Sequence, residues 1–342
     1  MTKYVNLFII IAMETKILQP NNENYAYCAK LLQDGEVVAI PTETVYGLGA
    51  NALCESGVKK IYEAKGRPSD NPLIVHVADF EMIEKLAYVN DRARIVMQNF
   101  MPGPVTMVLK KKDIVPSCVT GGLDTVGIRM PENEVALRLI KESGVPVCAP
   151  SANTSTRPSP TKATHVLYDL DGKIYAILDG GECKVGVEST IIDLTTEKTR
   201  LLRAGGMPVE ILEEKLGKIE VVKSSTVALC PGMKYKHYSP KAPVFLFLPS
   251  EDLQTKVIEK YDTYNGKAVI FALSDNVNAY GDRTVYNVGK NAEEYAHNLF
   301  RFLRRADREE FDVILCEGVD DSGYGLGVMN RLIKASANNI IS

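Results

Sequence analysis

Short apolar runs alternate along the chain with segments in which apolar residues recur every three or four positions. The first pattern predicts strands and the second predicts amphipathic helices. Strands are predicted at 37–41, 73–77, 105–110, 126–130, 145–149, 174–178, 190–194 and 200–203. Helices are predicted between them at 22–33, 55–65, 79–86, 91–100, 132–142, 161–169 and 209–216. This interleaving indicates an α/β domain, with antiparallel pairing where strands follow each other closely.

The alternation stops at residues 217–241, which contain prolines and show neither a helical nor a strand period. This segment predicts a linker, and its basic and aromatic stretch 233–238 predicts a lid over the first domain. A second series succeeds it, with strands at 244–248, 268–273, 284–288 and 313–317 and helices at 251–261, 292–306 and 327–337. That series is typical of a small doubly wound, Rossmann-like domain. We therefore expect a first domain over 13–216, a linker or lid over 217–241 and a second domain over 242–342.

Residues 1–12 differ in pattern from the rest of the chain. The apolar run 7–13 is far shorter than the ~20 residues that span a bilayer, and no signal-peptide cleavage site succeeds it. We expect an upstream start or a loosely packed extension, with Met13 as the natural start, and no membrane partner.

Composition narrows the class of protein. The chain has 342 residues, 45% of them hydrophobic, and a net charge of −3, which weighs against a dedicated nucleic-acid binder. Seven cysteines without a CxxC pair, and four histidines without metal-ligand spacing, indicate reduced thiols, a cytoplasmic location and no bound structural metal.

Two kinds of segment are candidates for chemistry. Lys65 and Arg67, in a segment that Pro68 and Pro72 fix and that also contains Asn71, suit a polyphosphate, although a solvated basic loop has the same composition. Polar residues also recur at the ends of successive strands. Examples are Thr44, Thr125 with Arg129, Ser151, Ser189 and Arg203. Each alone is explained by turn chemistry, but their recurrence suggests one shared cleft.

His76 and the segment 47–52 could each have a function, but a purely structural role explains them equally well. His76 ends a predicted strand, where a lone histidine is more often structural than catalytic. The segment 47–52 fits GxGxxA, but no acidic residue closes a second strand after it, so we expect a tight turn there rather than a dinucleotide site.

Seven ordered motifs resemble one family. They are PTETVYGLG, KGRPSDNPLIVH, MPGPVTMVL, TVGIRMP, APSANTSTRPSPT, GVESTIIDL and LLRAGG. Their order and spacing resemble the Sua5/YciO/YrdC family, and the tail KYKHYSPKAP with the second α/β series resembles its longer Sua5 form. The resemblance covers residues 14–342 and implies a YrdC-like twisted, open mixed sheet with helices, succeeded by the Sua5 C-terminal domain.

The resemblance also implies an activity. Enzymes of this kind convert L-threonine, bicarbonate or CO2, and ATP into L-threonylcarbamoyl-adenylate and pyrophosphate, with Mg2+ accompanying the nucleotide. A downstream transferase complex uses the adenylate for the t6A modification at position 37 of tRNA, so tRNA is an indirect partner.

The resemblance implies site roles residue by residue. The threonine-binding residues would be Thr44, His76, Arg129 and Ser189. The ATP-binding residues would be Lys65, Arg67, Asn71, Thr125, Ser151, Ser159, Arg203 and Tyr238, with Lys65 and Arg67 also acting in catalysis. Thr156 departs from the family, which usually has glycine there, so the geometry of its loop is in question.

Two alternative functions remain at this point. The first is double-stranded RNA binding, which the net charge of −3 disfavours. The second is carbamoyl transfer as in hydrogenase maturation, which would call for zinc-binding modules with cysteine pairs.

Overall fold

A computed structural model describes residues 13–222, 230–231 and 237–342 of the chain. The expected N-terminal extension, 1–12, lies outside these residues, as do 223–229 and 232–236 of the expected linker or lid.

Eleven strands of the described residues form a mixed sheet. They are β1 (Lys16–Leu18), β2 (Val38–Ile40), β3 (Gly47–Asn51), β4 (Ile74–His76), β5 (Val105–Lys110), β6 (Thr125–Arg129), β7 (Val147–Cys148), β8 (Ala176–Leu178), β9 (Thr190–Asp193), β10 (Arg200–Arg203) and β11 (Glu220–Val221). Their order across the sheet is β1-β8-β2-β3-β7-β4-β6-β5-β9-β10-β11. The sheet contains both parallel and antiparallel pairs, for example parallel β4 and β6 beside antiparallel β6 and β5.

The second sheet is parallel throughout. Its strands are β12 (Val244–Phe247), β13 (Ala268–Leu273), β14 (Val285–Gly289), β15 (Val313–Glu317) and β16 (Ile340–Ile341). They lie in the order β14-β13-β15-β12-β16.

Helices cover both sheets. Those of the first part are α1 (Asn22–Gln33), α2 (Glu55–Lys65), α3 (Phe80–Leu86), α4 (Asp91–Phe100), α5 (Ser117–Thr120), α6 (Glu134–Ser143), α7 (Ala163–Leu170) and α8 (Val209–Leu216). Those of the second part are α9 (Leu253–Thr263), a 3₁₀ helix (Ser274–Tyr280), α10 (Ala292–Arg308) and α11 (Tyr324–Ala335). Several helices begin at a side chain that accepts a hydrogen bond from the backbone N–H three residues on, which stabilises each by about 1 kcal/mol. These caps are Asn21, Asp79, Asn90, Asn133 and Asn291.

Both faces of the second sheet carry apolar residues, as a doubly wound arrangement requires. Along β13, Ile270 packs with Val257 of α9, whereas Phe271 packs on the opposite face with Leu299 of α10. The period of two residues in strands produces this division between the faces.

The α/β class, the mixed first sheet and the parallel second domain are confirmed. The expectation of a tight turn at 47–52 is wrong, because 47–51 form β3, paired antiparallel with β2 and with β7. A Cβ on Gly49 would lie 2.8 Å from Val147 Cγ1, so glycine serves here for close strand packing. Within the described ranges, no helix has the length and apolar character needed to cross a bilayer.

Candidate functional site

The ends of β2, β4 and β6 bring three predicted site residues together. Thr44 lies just after β2, His76 ends β4 and Arg129 ends β6. Because β4 and β6 are parallel neighbours with His76 opposite Arg129, both side chains belong to one edge of the sheet. All three residues are buried.

Arg129 organises this edge. Its Nη2 lies 2.5 Å from Glu43 Oε2, its Nη1 donates to Thr44 Oγ1 at 2.8 Å, and its Nε donates to Gly103 O at 3.3 Å. Thr44 Oγ1 also lies 2.8 Å from Thr42 Oγ1. The guanidinium is therefore fixed by the protein, and its charge is already compensated by a buried carboxylate.

Ser189 and Arg203 form the facing wall. Ser189 precedes β9 and its Oγ lies 2.8 Å from Thr106 Oγ1 of β5. Arg203, at the end of β10, donates from Nη2 to Ser189 O at 2.9 Å and from Nη1 to Pro231 O at 3.3 Å. These contacts hold a buried cation beside a hydroxyl.

The residues at and after the end of α2 divide into supporting and cavity-facing groups. Lys65 is buried, and its Nζ donates to Ser151 O and, at 2.5 Å, to Asn153 O, so it holds the loop after β7 in place. Arg67 donates from Nη2 to Pro72 O at 3.2 Å and reaches Asn71 O at 3.4 Å. Its Nε has no hydrogen-bond partner among the described residues.

A cavity of about 60 Å3 lies between these groups. Eight of the twelve predicted site residues line it, namely Thr44, Arg67, His76, Arg129, Ser151, Ser189, Arg203 and Tyr238. The other four do not. Lys65 and Asn71 lie behind its wall, Ser159 contacts Glu188 instead, and Thr125 lines a separate small cavity beside Leu73 and Cys230.

A residue of the second domain completes the wall behind Ser159. Ser159 Oγ donates to Glu188 Oε1 at 2.5 Å, and Arg331 of α11 donates from Nε to Glu188 Oε2 at 3.0 Å. Arg331 is fully buried and also lies over the ring of Tyr238, 5.5 Å from its centroid. One side chain of α11 therefore contacts both the cavity wall and the end of the linker.

Burial sets the charge state of several of these groups. Burial, together with the Arg129 charge, lowers the pKa of His76 to about 3, so its imidazole is neutral at pH 7. Burial also lowers the pKa of Arg67 to about 10. Burial alone would raise the pKa of Glu188, but the charges of Arg331 and Arg203 outweigh it, so the net shift is downward and the carboxylate stays ionised.

The sequence analysis assigned no role to Glu43, Glu188 or Arg331. Glu43 and Glu188 stand inside two of the quoted motifs, PTETVYGLG and GVESTIIDL. An acidic residue beside hydroxyl-bearing residues at a strand end was the available signal. Arg331 carries no such signal, because 143 residues separate it from Glu188 in the chain.

Comparisons with known proteins agree with this arrangement. Residues 30–205 match the Sua5/YciO/YrdC family, described as telomere recombination, and residues 207–337 match the domain described as threonylcarbamoyl-AMP synthase, C-terminal domain. A threonylcarbamoyl-AMP synthase of Pyrococcus abyssi is 50% identical over 322 residues, which cover 92% of this chain and 94% of the relative. One of Bacillus subtilis is 44% identical, with 96% and 97% covered.

A solved structure covers both domains as well. The crystal structure of P. abyssi Sua5 complexed with L-threonine has a TM-score of 0.90 and 47% identity to this chain, and covers 96% of it and 98% of that chain. The sheet order, the shared cavity and the matches over both domains thus have one explanation. This chain belongs to the Sua5/YciO/YrdC family, in its two-domain Sua5 form.

Proposed function

We propose that this chain is an ATP-using, adenylate-forming transferase that makes L-threonylcarbamoyl-adenylate and pyrophosphate from L-threonine, bicarbonate or CO2, and ATP. The observation that carries the proposal is the shared cavity, in which hydroxyl groups and fixed cations line the same small space. The names of the relatives that match along both domains support the same reaction.

Threonine would bind on the β2, β4 and β6 side of the cavity. Arg129 would face its carboxylate as a rigidly held fork, since Glu43 and Thr44 already fix the guanidinium. Thr44 and Ser189 would offer hydroxyls to its polar groups, and neutral His76 would add an uncharged ring beside Arg129. The complex of P. abyssi Sua5 with L-threonine supports threonine as a ligand of this family member.

ATP would bind on the opposite side. Arg67 and Arg203 are the cations that line the cavity there, and Ser151 and Tyr238 adjoin them. Lys65, Asn71 and Ser159 would act from behind the wall, where they hold its loops. Thr125 is the least supported member, because it lines a different cavity.

The chemistry needs no side-chain nucleophile. The neutral threonine amine adds to CO2 with loss of a proton, or to bicarbonate with loss of water, and gives an N-carboxylate. One oxygen of that carboxylate attacks the α-phosphorus of ATP, and the bond to the bridging oxygen breaks, so that pyrophosphate leaves with the electron pair. Arg67 and Arg203 would hold the phosphates in line and offset their charge, and positioning would supply most of the rate.

Mg2+ would arrive with the triphosphate rather than on protein ligands. The two carboxylates of this region, Glu43 and Glu188, are each ion-paired with a buried arginine. In the part of the chain that the structure describes, no group of three or more His, Cys, Asp or Glu side chains could hold a metal ion. These side chains therefore do not form a site that suits a magnesium ion held by the protein.

The cavity volume supports a lid. About 60 Å3 is well below the roughly 300–1,000 Å3 typical of small-molecule sites. Binding of threonine and ATP together therefore requires the wall to open. His237 and Tyr238 line the cavity at the end of the expected linker, where a lid would exclude water from the adenylate.

The product would pass to a downstream transferase complex for t6A formation at position 37 of tRNA. We place the reaction in the cytoplasm, where ATP and tRNA meet. Seven free cysteines, five of them buried, are compatible with that reducing compartment.

The test is pyrophosphate release with threonine or valine, each with bicarbonate and ATP. Valine lacks the hydroxyl that would hydrogen-bond to Thr44 and Ser189, so its rate should be lower by a factor on the order of 100 or more. Product analysis should find the adenylate only when threonine and bicarbonate are both present. Equal rates with valine would reject the substrate assignment.

A pair of variants on β10 tests the ATP side. Arg203→Ala should raise the barrier by about 2–5 kcal/mol, because a phosphate would lose its buried partner. Arg200→Ala is the matched control, since Arg200 lies on the same strand but pairs with Asp193 and does not line the cavity. Equal kinetics in the two variants would show that Arg203 has no role in ATP use.

A further inference from the structure

A second concave site, unrelated to the cavity, lies between the two domains. It is a groove of about 440 Å3 between α7 of the first domain and α10 of the second, and we call it the basic groove. Six cationic side chains line it: Arg157, Lys162, Arg301, Arg304, Arg305 and Arg308. The proposed reaction uses none of them.

The cations outnumber the carboxylates that accompany them. Four carboxylates pair with five of the six cations, in the ion pairs Arg157–Asp307, Lys162–Glu182, Arg301–Glu182, Arg304–Asp169 and Arg305–Glu309. The side chain of Arg308 forms none of these ion pairs. The groove therefore keeps an excess of two positive charges in a chain whose net charge is −3.

Only one of these ion pairs is deeply buried. Arg304 and Asp169 have side chains 7% and 3% exposed, and Arg304 also donates to Pro158 O at 2.5 Å, so this arginine is structural. Arg301, Arg305 and Lys162 are about two-fifths exposed. Exposed ion pairs contribute only about 0–1 kcal/mol, so these cations can exchange a carboxylate for another anion at little cost.

The spacing on α10 concentrates the charge on one side of the helix. Arg301, Arg305 and Arg308 are separated by four and three residues, which places them on one helical face. From α7, the ring of Tyr168 is exposed at the rim and His165 lies between the two helices. Burial is the main reason that the pKa of His165 falls to about 3, and the charges of the surrounding cations lower it further.

We propose that the basic groove is a binding site for a compact anion with adjacent phosphate groups, namely a nucleoside polyphosphate or pyrophosphate. Arginine forks match phosphate oxygens in pairs, and the exposed Tyr168 ring offers a stacking surface for a base. The volume of about 440 Å3 falls within the range of small-molecule sites. A nucleic acid would contact an extended basic surface, whereas these six cations line a single groove.

The test is the binding stoichiometry of ATP, measured by calorimetry on the full chain without threonine. We expect two sites in the wild-type chain. The double variant Arg301→Ala/Arg308→Ala should weaken one of them at least tenfold and leave the other. Arg67→Ala should do the reverse, so the groove and the proposed cavity site are scored separately. The double variant Lys85→Ala/Arg94→Ala removes two exposed charges elsewhere and should keep both sites.

Binding measurements with pyrophosphate and with tRNA show which kind of phosphate-containing ligand the basic groove recognises. If pyrophosphate occupies the groove as tightly as ATP, the phosphates alone are recognised, and if ATP binds much more tightly, the base contributes. The proposal is wrong if the wild-type chain binds one ATP that only Arg67→Ala removes. It is equally wrong if the groove variant keeps both ATP sites but loses affinity for a tRNA transcript.

Discussion

Among single residues, Thr156 has a backbone conformation that its side chain disfavours. Its φ is +76°, in the left-handed region, and its carbonyl accepts a hydrogen bond from Ser239 N at 2.8 Å. The family's usual glycine has no such penalty, and a β-branched residue at this φ is an outlier. The substitution of threonine for glycine therefore leaves the loop geometry in place at an energetic cost, rather than changing the geometry.

Thr156→Gly should stabilise the chain. The left-handed conformation costs a residue with a side chain about 1–2 kcal/mol, and the greater chain entropy of unfolded glycine offsets part of that gain. We expect a net increase of about 0.5–1 kcal/mol in the free energy of unfolding, measured in urea. Thr154→Gly is the matched control, because Thr154 lacks a positive φ and its hydroxyl donates to Asp169 O at 3.2 Å. If both variants are destabilised, φ strain at Thr156 is not significant.

His76 couples the fold to pH. Its pKa is about 3 in the folded chain, lowered by burial and by Arg129 from an ordinary value of 6.5. The unfolded chain therefore binds one more proton between these two values, so stability rises with pH across this window and is lost as pH falls from 6.5 towards 3.

His76→Gln removes the group whose extra proton in the unfolded chain makes stability depend on pH. The free energy of unfolding should then vary less steeply with pH between about 4 and 6, by about 1.4 kcal/mol per pH unit. Urea unfolding at several pH values measures this slope, and Asn99→Ala, an exposed change without a titrating group, should keep the wild-type slope. An unchanged slope in His76→Gln would mean that the imidazole titrates alike in both states.

Among the helices and strands, the sequence pattern predicted the bounds of an element correctly where local interactions determine them. The helices Asn22–Gln33, Glu55–Lys65, Asp91–Phe100 and Val209–Leu216 have the bounds that periodicity and capping predict. The strand Gly47–Asn51 was missed because Gly47 and Gly49 are required by the close approach of the distant residues Ala149 and Val147, which no local pattern records.

The residues of the candidate site likewise divide into those that local sequence reveals and those that depend on distant contacts. The cavity residues at strand ends could be found, since a strand end is visible in sequence and the sheet edge brings such ends together. The Glu188–Arg331 pair could not, because it depends on how the second domain docks. The ion pair between Glu43 and Arg129 likewise depends on the pairing of distant strands.

Arg331 gives α11 a role beyond packing. Arg331→Met should lower the free energy of unfolding by about 3–5 kcal/mol, because it leaves Glu188 buried and without its cation. It should also raise KM for ATP, since Ser159 and Tyr238 lose a shared support. Adding Glu188→Gln should recover part of the stability, which a double-mutant cycle in urea measures.

Tyr280→Phe is the control for this variant. The Tyr280 hydroxyl donates to buried Glu317 in the second domain, away from the cavity. The substitution should reduce stability without changing KM. If Arg331→Met behaves in the same way, with KM unaltered, α11 supports only the fold.

At the scale of the whole molecule, the two domains share one apolar cluster. Val45 and Val187 of the first domain pack with Tyr238 and with residues of α10 and α11. The backbones also approach closely, since a Cβ on Gly327 would lie 3.0 Å from Gly205 O and one on Gly186 would lie 2.5 Å from His297 Cα. This tight packing favours a second domain that is part of the catalytic structure rather than a tethered addition.

A chain that ends at residue 222 should therefore fold but lose most of its activity. It keeps the eleven-stranded sheet, so its far-UV circular dichroism should remain that of a folded α/β domain. It loses Tyr238 and Arg331 and exposes Glu188, so pyrophosphate release should fall by a factor on the order of 100, which corresponds to about 3 kcal/mol in total. The matched control is the full chain with a protease site inserted after residue 224 and cleaved. That chain retains every interdomain contact without the covalent link, and it should stay active.

Should the shortened chain turn over at the full rate, the cavity would be complete without the second domain. If the cleaved chain is as inactive as the shortened one, the linker's continuity matters more than the contacts of α11.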